Sequence, residues 1–211
     1  AASSGGADGA GAAAGPADPA PDTTSAPEPE PVPEPAPEPA PEPVPEPAPQ
    51  PDAVPQSGDR ILAVGDSVML AAAPALQAAF PGIRIDAAVS RQLRVGDDIV
   101  GAALTGDRDI LVVALGTNGD GPDSAYQSII DLAGTGRTVV LVDIAGPMTW
   151  TSAVNDRIRR VAGSNPNVVV ADWNGAIAPH PELLAADGVH PGPSGGELYA
   201  QAVRAALGGA G

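Results

Sequence analysis

From residue 60 onward the chain alternates short apolar runs with stretches whose apolar residues recur every three or four positions. Residues 60–64 (RILAV), 83–86 (IRID), 109–115 (DILVVAL), 138–144 (TVVLVDI) and 167–172 (NVVVAD) read as strands. Between and after them, 67–80, 96–104, 123–133, 152–162 and 194–207 have the spacing of amphipathic helices. Uninterrupted β-branched runs lack the in/out alternation of a half-exposed sheet, so these strands are expected to be covered on both faces. Strictly alternating strands and helices then predict a three-layer α/β/α sandwich around a five-stranded parallel sheet, flavodoxin-like, in the order 2-1-3-4-5. In such sheets, ligands gather at the carboxyl ends of the strands.

The first 58 residues follow a different pattern. They hold 17 of the 26 prolines, 10 of the 26 acids and none of the 10 bases. So little apolar surface cannot offset the entropy of ordering, and residues 1–58 are expected to be a disordered linker ahead of one domain at 59–211. Within the linker, residues 27–51 carry Pro at every odd position, which predicts polyproline II. At about 3.1 Å per residue that run would extend roughly 75–80 Å as a semi-rigid spacer. Service as a Pro-rich ligand is the alternative reading of the same repeat. Ala1 in place of Met is what a processed or excised chain would show.

Charge and composition narrow the function. A net charge of −16 and the lack of any basic cluster argue against nucleic acid and anionic lipid as partners. No run reaches the length of a membrane span. Zero cysteines and two separated histidines make a metal centre unexpected, and no cofactor is called for. The lack of cysteine leaves the redox compartment open and suits an oxidising exterior.

Candidate chemistry sits at the strand ends. The first strand runs into Gly65-Asp66-Ser67, which would expose a serine hydroxyl at a strand-to-helix turn close to helix amides. Ser67 could equally be an ordinary helix cap. The loop before the last helix carries DGVH (187–190), in which Asp187 could hold the imidazole of His190 and leave its other nitrogen free as a base. A plain Asp-Gly turn is the alternative. GTNG (116–119) follows the third strand and offers the Asn118 amide as an oxyanion donor, and the Ser90 backbone N–H after the second strand offers another. Each motif alone has an unremarkable reading as a cap or turn. Four at one sheet edge favour a serine hydrolase or acyltransferase.

The ordered set GDS, VSRQ, GTNG and DGVH resembles the SGNH (GDSL-like) hydrolase superfamily. The longer strings GDSVM, IDAAVSRQL, VVALGTNG and VADWNGAIAPHPELLAADGVHP look like the extracytoplasmic C-terminal domain of bacterial peptidoglycan O-acetyltransferases of the acyltransferase-3 type, over residues 61–207. The resemblance implies Ser67 as nucleophile, His190 as base, Asp187 as orienting acid, and an oxyanion hole from the amides of Ser67 and Ser90 with the Asn118 side chain. It also implies an acyl donor, a cell-wall glycan acceptor, and a membrane-embedded acyltransferase half joined through a linker. Ser90 departs from the superfamily's usual Gly, and Val68 from its commoner Leu. The segment 145–150 (AGPMTW) matches less well and is a plausible substrate-lining loop.

Arg91, Gln92 and Trp150 are the candidates for substrate contact. Arg91 and Gln92 could instead brace their loop, and Trp173 is expected in the core. Residues 155–160, with three arginines, read as a solvated helix face. The expected reaction is O-acetyl transfer to a glycan through an acyl-serine. Two other readings remain: a secreted carbohydrate or short-chain esterase, and a non-catalytic wall-polysaccharide binding module. A lipid esterase would need an apolar acyl groove, which the small residues after Ser67 do not suggest.

Overall fold

The computed structural model describes residues 57–208, and the expected spacer at 27–51 lies outside the described residues. Five strands, β1 (Ile61–Gly65), β2 (Arg84–Ala87), β3 (Ile110–Ala114), β4 (Thr138–Val142) and β5 (Val168–Ala171), form one parallel sheet in the order β2-β1-β3-β4-β5. Six helices accompany them: α1 (Ser67–Ala79), α2 (Gly96–Ala103), α3 (Asp123–Ala133), α4 (Thr151–Ser164), α5 (Trp173–Ile177) and α6 (Pro193–Gly208). Architecture and strand order are those expected from the hydrophobic pattern. The short helix α5 is additional, since a single turn and a half is too brief to register as a period.

The period-2 geometry of a strand sends alternate side chains to opposite faces, and the core divides accordingly. Ile61, Ala63, Val112, Val140 and Val142 meet α1, α5 and α6 through Met69, Leu76, Trp173, Tyr199 and Val203. Leu62, Val64, Leu111, Val113 and Leu141 meet α2, α3 and α4 through Val100, Tyr126, Ile129 and Ile158. Trp173 is buried edge-on against Tyr199, with ring centroids 5.2 Å apart. Strands β1, β3 and β4 are buried nearly throughout, whereas the edge strand β2 is at most half-buried.

Register is what assembles the site. Gly65 at the end of β1 lies level with Ala87 of β2 and Ala114 of β3. The pairing continues one step further, because the Ala88 N–H donates to the Gly65 carbonyl at 3.2 Å and the Asp66 N–H donates to the Ala114 carbonyl at 3.1 Å. The segments bearing Ser67, Ser90 and Asn118 therefore leave the sheet side by side. Asp143 and Asp172, just beyond β4 and β5, hold the corresponding places on the other half of the edge.

One expectation about α4 is corrected. Asn155 is buried, accepting from the Ile144 N–H at 2.9 Å and donating to the Ile144 carbonyl at 2.8 Å. Arg157 pairs with Asp120 and Asp123, and Arg160 with Asp123. The polar run at 155–160 is thus half clamp and half solvated face. One buried Asn inside a charged string leaves no trace in periodicity.

Candidate active site

At the end of β1 the helix cap is Asp66, not Ser67. Its carboxylate accepts from the Val68 N–H at 3.0 Å, and Ser67 is the first helical residue. A capping serine would have turned its hydroxyl onto the helix backbone. Here Asp66 takes that role and frees the Ser67 hydroxyl for other work. A glycine is needed just before the turn, since a Cβ at Gly65 would come within 2.5 Å of the Met69 side chain. Asp66 is buried, and burial pushes its carboxyl above the usual range, while the bond from the Val68 N–H pulls the other way.

The DGVH loop supplies the partners. Gly188, at φ +69°, permits the reversal after Asp187. Asp187 Oδ1 accepts from the N–H groups of Val189 and His190, at 2.9 and 3.1 Å, which closes the turn. Its Oδ2 lies 2.7 Å from His190 Nδ1, and His190 Nε2 lies 2.8 Å from Ser67 Oγ. The Ala185 N–H donates to the His190 carbonyl and the Gly192 N–H to the Leu183 carbonyl, both at 2.8 Å, so the loop is fixed at both ends. The imidazole hydrogen bond, then the two backbone bonds, hold the Asp187 carboxyl down to about 2. A carboxylate that steers Nδ1 and a hydroxyl at Nε2 form the array that converts serine into a nucleophile. His180, the other histidine, stands away from this array beside Glu182 at 3.4 Å.

The neighbouring loops are braced to each other. Ser90 has φ +59°, the one positive value at a non-glycine position among the described residues. This region costs a residue with a Cβ about 1–2 kcal/mol, which explains why glycine is the natural occupant. Arg91 fastens the loop: its guanidinium donates to the Asp86 carbonyl, to Asp86 Oδ1 at 2.7 Å and to the Gly65 carbonyl at 3.3 Å. Of its two expected roles, the brace is the one these hydrogen bonds display. Asn118 Nδ2 donates to the Arg91 carbonyl at 3.1 Å, which ties the third loop to the second and leaves its other N–H unspent. Trp150 is half-buried against the α4 side of the core, and its indole N–H donates to the Thr117 carbonyl at 3.3 Å. It too braces a site loop. Gln92 is exposed, its Oε1 accepting from Arg94.

Sequence reasoning missed the buried acids. Asp143 accepts from the Asn174 N–H at 2.8 Å and lies 3.4 Å from Arg159. Burial, opposed by that hydrogen bond and reinforced by the neighbouring Asp172 carboxylate, pushes it up to about 6. The two buried acids, Asp66 and Asp143, stood in the sequence at strand ends, but nothing there separates a buried strut from an exposed catalytic group.

Similarity to known proteins agrees with this geometry. The chain is 37% identical over 142 residues to the peptidoglycan O-acetyltransferase OatA of Listeria monocytogenes, covering 65% of this chain and 22% of that protein. It is 34% identical over 134 residues to the O-acetyltransferase OatA of Staphylococcus aureus, covering 61% and 22%. Among solved structures, the C-terminal catalytic domain of Streptococcus pneumoniae peptidoglycan O-acetyltransferase A, with a methylsulfonyl adduct, superposes with TM-score 0.64 at 29% identity. That match covers 74% of this chain and 94% of the domain. The chain belongs to the SGNH (GDSL-like) hydrolase superfamily. Within it, the globular part is homologous to OatA-type catalytic domains, and the superfamily is one of enzymes with serine-hydrolase chemistry on esters. The chain spans about a fifth of the length of these curated relatives. No protein-family model matches it.

Proposed function

We propose that this SGNH domain transfers an acetyl group to a hydroxyl of a cell-envelope glycan through an acetyl-Ser67 intermediate. The observation that carries the reading is the continuous chain Asp187 Oδ2, His190 Nδ1, His190 Nε2, Ser67 Oγ, with gaps of 2.7 and 2.8 Å. His190 Nε2 takes the Ser67 proton as Oγ bonds to the acyl carbon. The resulting oxyanion is held by the N–H groups of Ser67 and Ser90 and the free N–H of Asn118. Collapse breaks the bond to the donor's oxygen, which leaves with the proton from His190. A glycan hydroxyl then gives its proton to His190 and attacks the same carbon, and Ser67 recovers its proton as the acetylated glycan departs. Asp187 fixes the tautomer and stabilises the imidazolium throughout.

The domain works outside the cytoplasm, where the glycan is. The peptidoglycan named for the relatives supports a wall glycan as acceptor, and an upstream membrane acyltransferase, in the same chain or another, would supply the acyl group. Arg91, Gln92 and the accessible part of Trp150 are the candidates for glycan contact. One observation favours the esterase alternative: the Asp187 and His190 side chains are 50% and 37% exposed, so water reaches the base. The full chain incubated with an activated acetyl ester and soluble muropeptides or chito-oligosaccharides separates the two by mass spectrometry. Acetylated sugar, lost with Ser67→Ala, is the expected product; free acetate alone would make the domain an esterase.

A further inference from the structure

We propose that the turn formed by Val89 and Ser90 is a glycan subsite, Val89 carrying the apolar face of a sugar ring and the Ser90 hydroxyl bonding its edge. The inference deepens the functional reading above and rests on it for the substrate class. Three large apolar side chains are exposed among the described residues: Leu70, Leu132 and, most of all, Val89 at 70%. Two of the three flank the reactive serine. Leu70 is one helical turn beyond Ser67, on the same face, and Val89 precedes the oxyanion donor Ser90 on the adjoining strand end.

The turn is also built to hold still. Arg91 fastens it to Asp86 and Gly65, and Asn118 fastens it to the third loop. Neither the Val89 side chain nor the Ser90 hydroxyl takes part in those bonds, and both residues are exposed. Ser90 sits in the left-handed region at φ +59°, where glycine would supply the same backbone N–H without strain. Strain kept at the mouth of a site, by a residue whose hydroxyl is not needed for the fold, points to use of that hydroxyl. A pyranose presents a C–H face bordered by hydroxyls, and an aliphatic side chain beside a hydroxyl donor and acceptor matches that chemistry.

The test is an NMR titration of the isotopically labelled full chain with chitopentaose, for the wild type and for Val89→Thr, Ser90→Ala and Ser90→Gly. Shift changes should centre on residues 88–92, and each substitution should weaken binding about 3- to 10-fold, the net worth of one contact. Ser90→Gly is the informative variant, since it relieves the strain and raises the melting temperature yet should bind as poorly as Ser90→Ala. In a parallel reaction with 4-nitrophenyl acetate and chitopentaose, the ratio of acetylated sugar to free acetate should fall by a similar factor. Damage to the oxyanion hole would slow both branches alike and leave that ratio unchanged. No shift at the turn, or wild-type affinity in all three variants, overturns the subsite whichever product the wild type makes. Wild-type affinity in Ser90→Gly alone overturns the role of the hydroxyl. A wild type that binds chitopentaose at the turn but releases only acetate leaves the subsite standing and removes the transferase reading instead.

Discussion

The carboxyl edge of the sheet has two halves built from the same elements to different ends. Beyond β1, β2 and β3, polar groups are held at the surface: Ser67 on a helix capped by Asp66, Ser90 on a loop fastened by Arg91, Asn118 tied to that loop. Beyond β4 and β5, Asp143 is buried and serves the fold, receiving the Asn174 N–H at the start of α5. Position at a strand end therefore nominates a residue for function without deciding it. The decision lies in whether the neighbouring side chains hold a group open to solvent or bury it against a helix terminus. Substitutions on the first half should reach activity and spare stability, and those on the second half should do the reverse.

The largest expected effect is on the first half. Ser67→Ala should lower turnover of an activated acetyl ester about 10⁴-fold or more with little change in melting temperature, measured by steady-state kinetics beside thermal denaturation. Wild-type-like turnover would remove the nucleophile from the account. Asn118→Ala should cost about 10²–10³-fold in kcat if its second N–H meets the oxyanion. An effect on KM alone would instead mark Asn118 as a loop brace.

The other half sharpens the contrast through pH. Asp143 is held up to about 6 in the folded protein, above its value in the unfolded chain. The folded state thus grips this proton harder. Its contribution to stability is fully present below pH about 4 and is lost as pH rises through about 6, a change on the order of 2–3 kcal/mol. Asp143→Asn keeps the acceptor for the Asn174 N–H and removes the charge. It should raise stability at pH 7.5, flatten stability between pH 4 and 6 in denaturant titrations, and leave ester turnover within about twofold. A large loss of activity would erase the distinction between the halves.

The smallest effect belongs to the strained turn. Ser90→Gly should stabilise the domain by about 1–2 kcal/mol through relief of the left-handed conformation, offset in part by the greater freedom of glycine when unfolded. Thermal melts check the sign. A lowered melting temperature would mean that the Ser90 side chain holds the loop.

Much of this was legible in the residues and some was not. The β-branched runs specified the strands to within one or two residues because burial on both faces leaves little choice of side chain. Asp187 and His190 were legible because a three-residue turn brings them together without help from the rest of the fold. Whether Ser67 caps the helix was not decidable from the tripeptide, since the answer depends on which neighbour reaches the Val68 N–H. The braces of Arg91 and Trp150 end on backbone carbonyls, of Asp86, Gly65 and Thr117, and every residue has a carbonyl. Asn155 and Asp143 are polar residues that the fold buries by long-range contacts, which local pattern cannot register.

The central claim is that chemistry passes through an acyl group on Ser67. It is tested most directly by quenching the full chain during turnover of an activated acetyl ester and mapping its peptides by mass spectrometry. The account predicts acetyl on the peptide bearing Ser67, absent in Ser67→Ala. Steady turnover with no acetylated peptide, or acetyl on another residue that persists in Ser67→Ala, would contradict it.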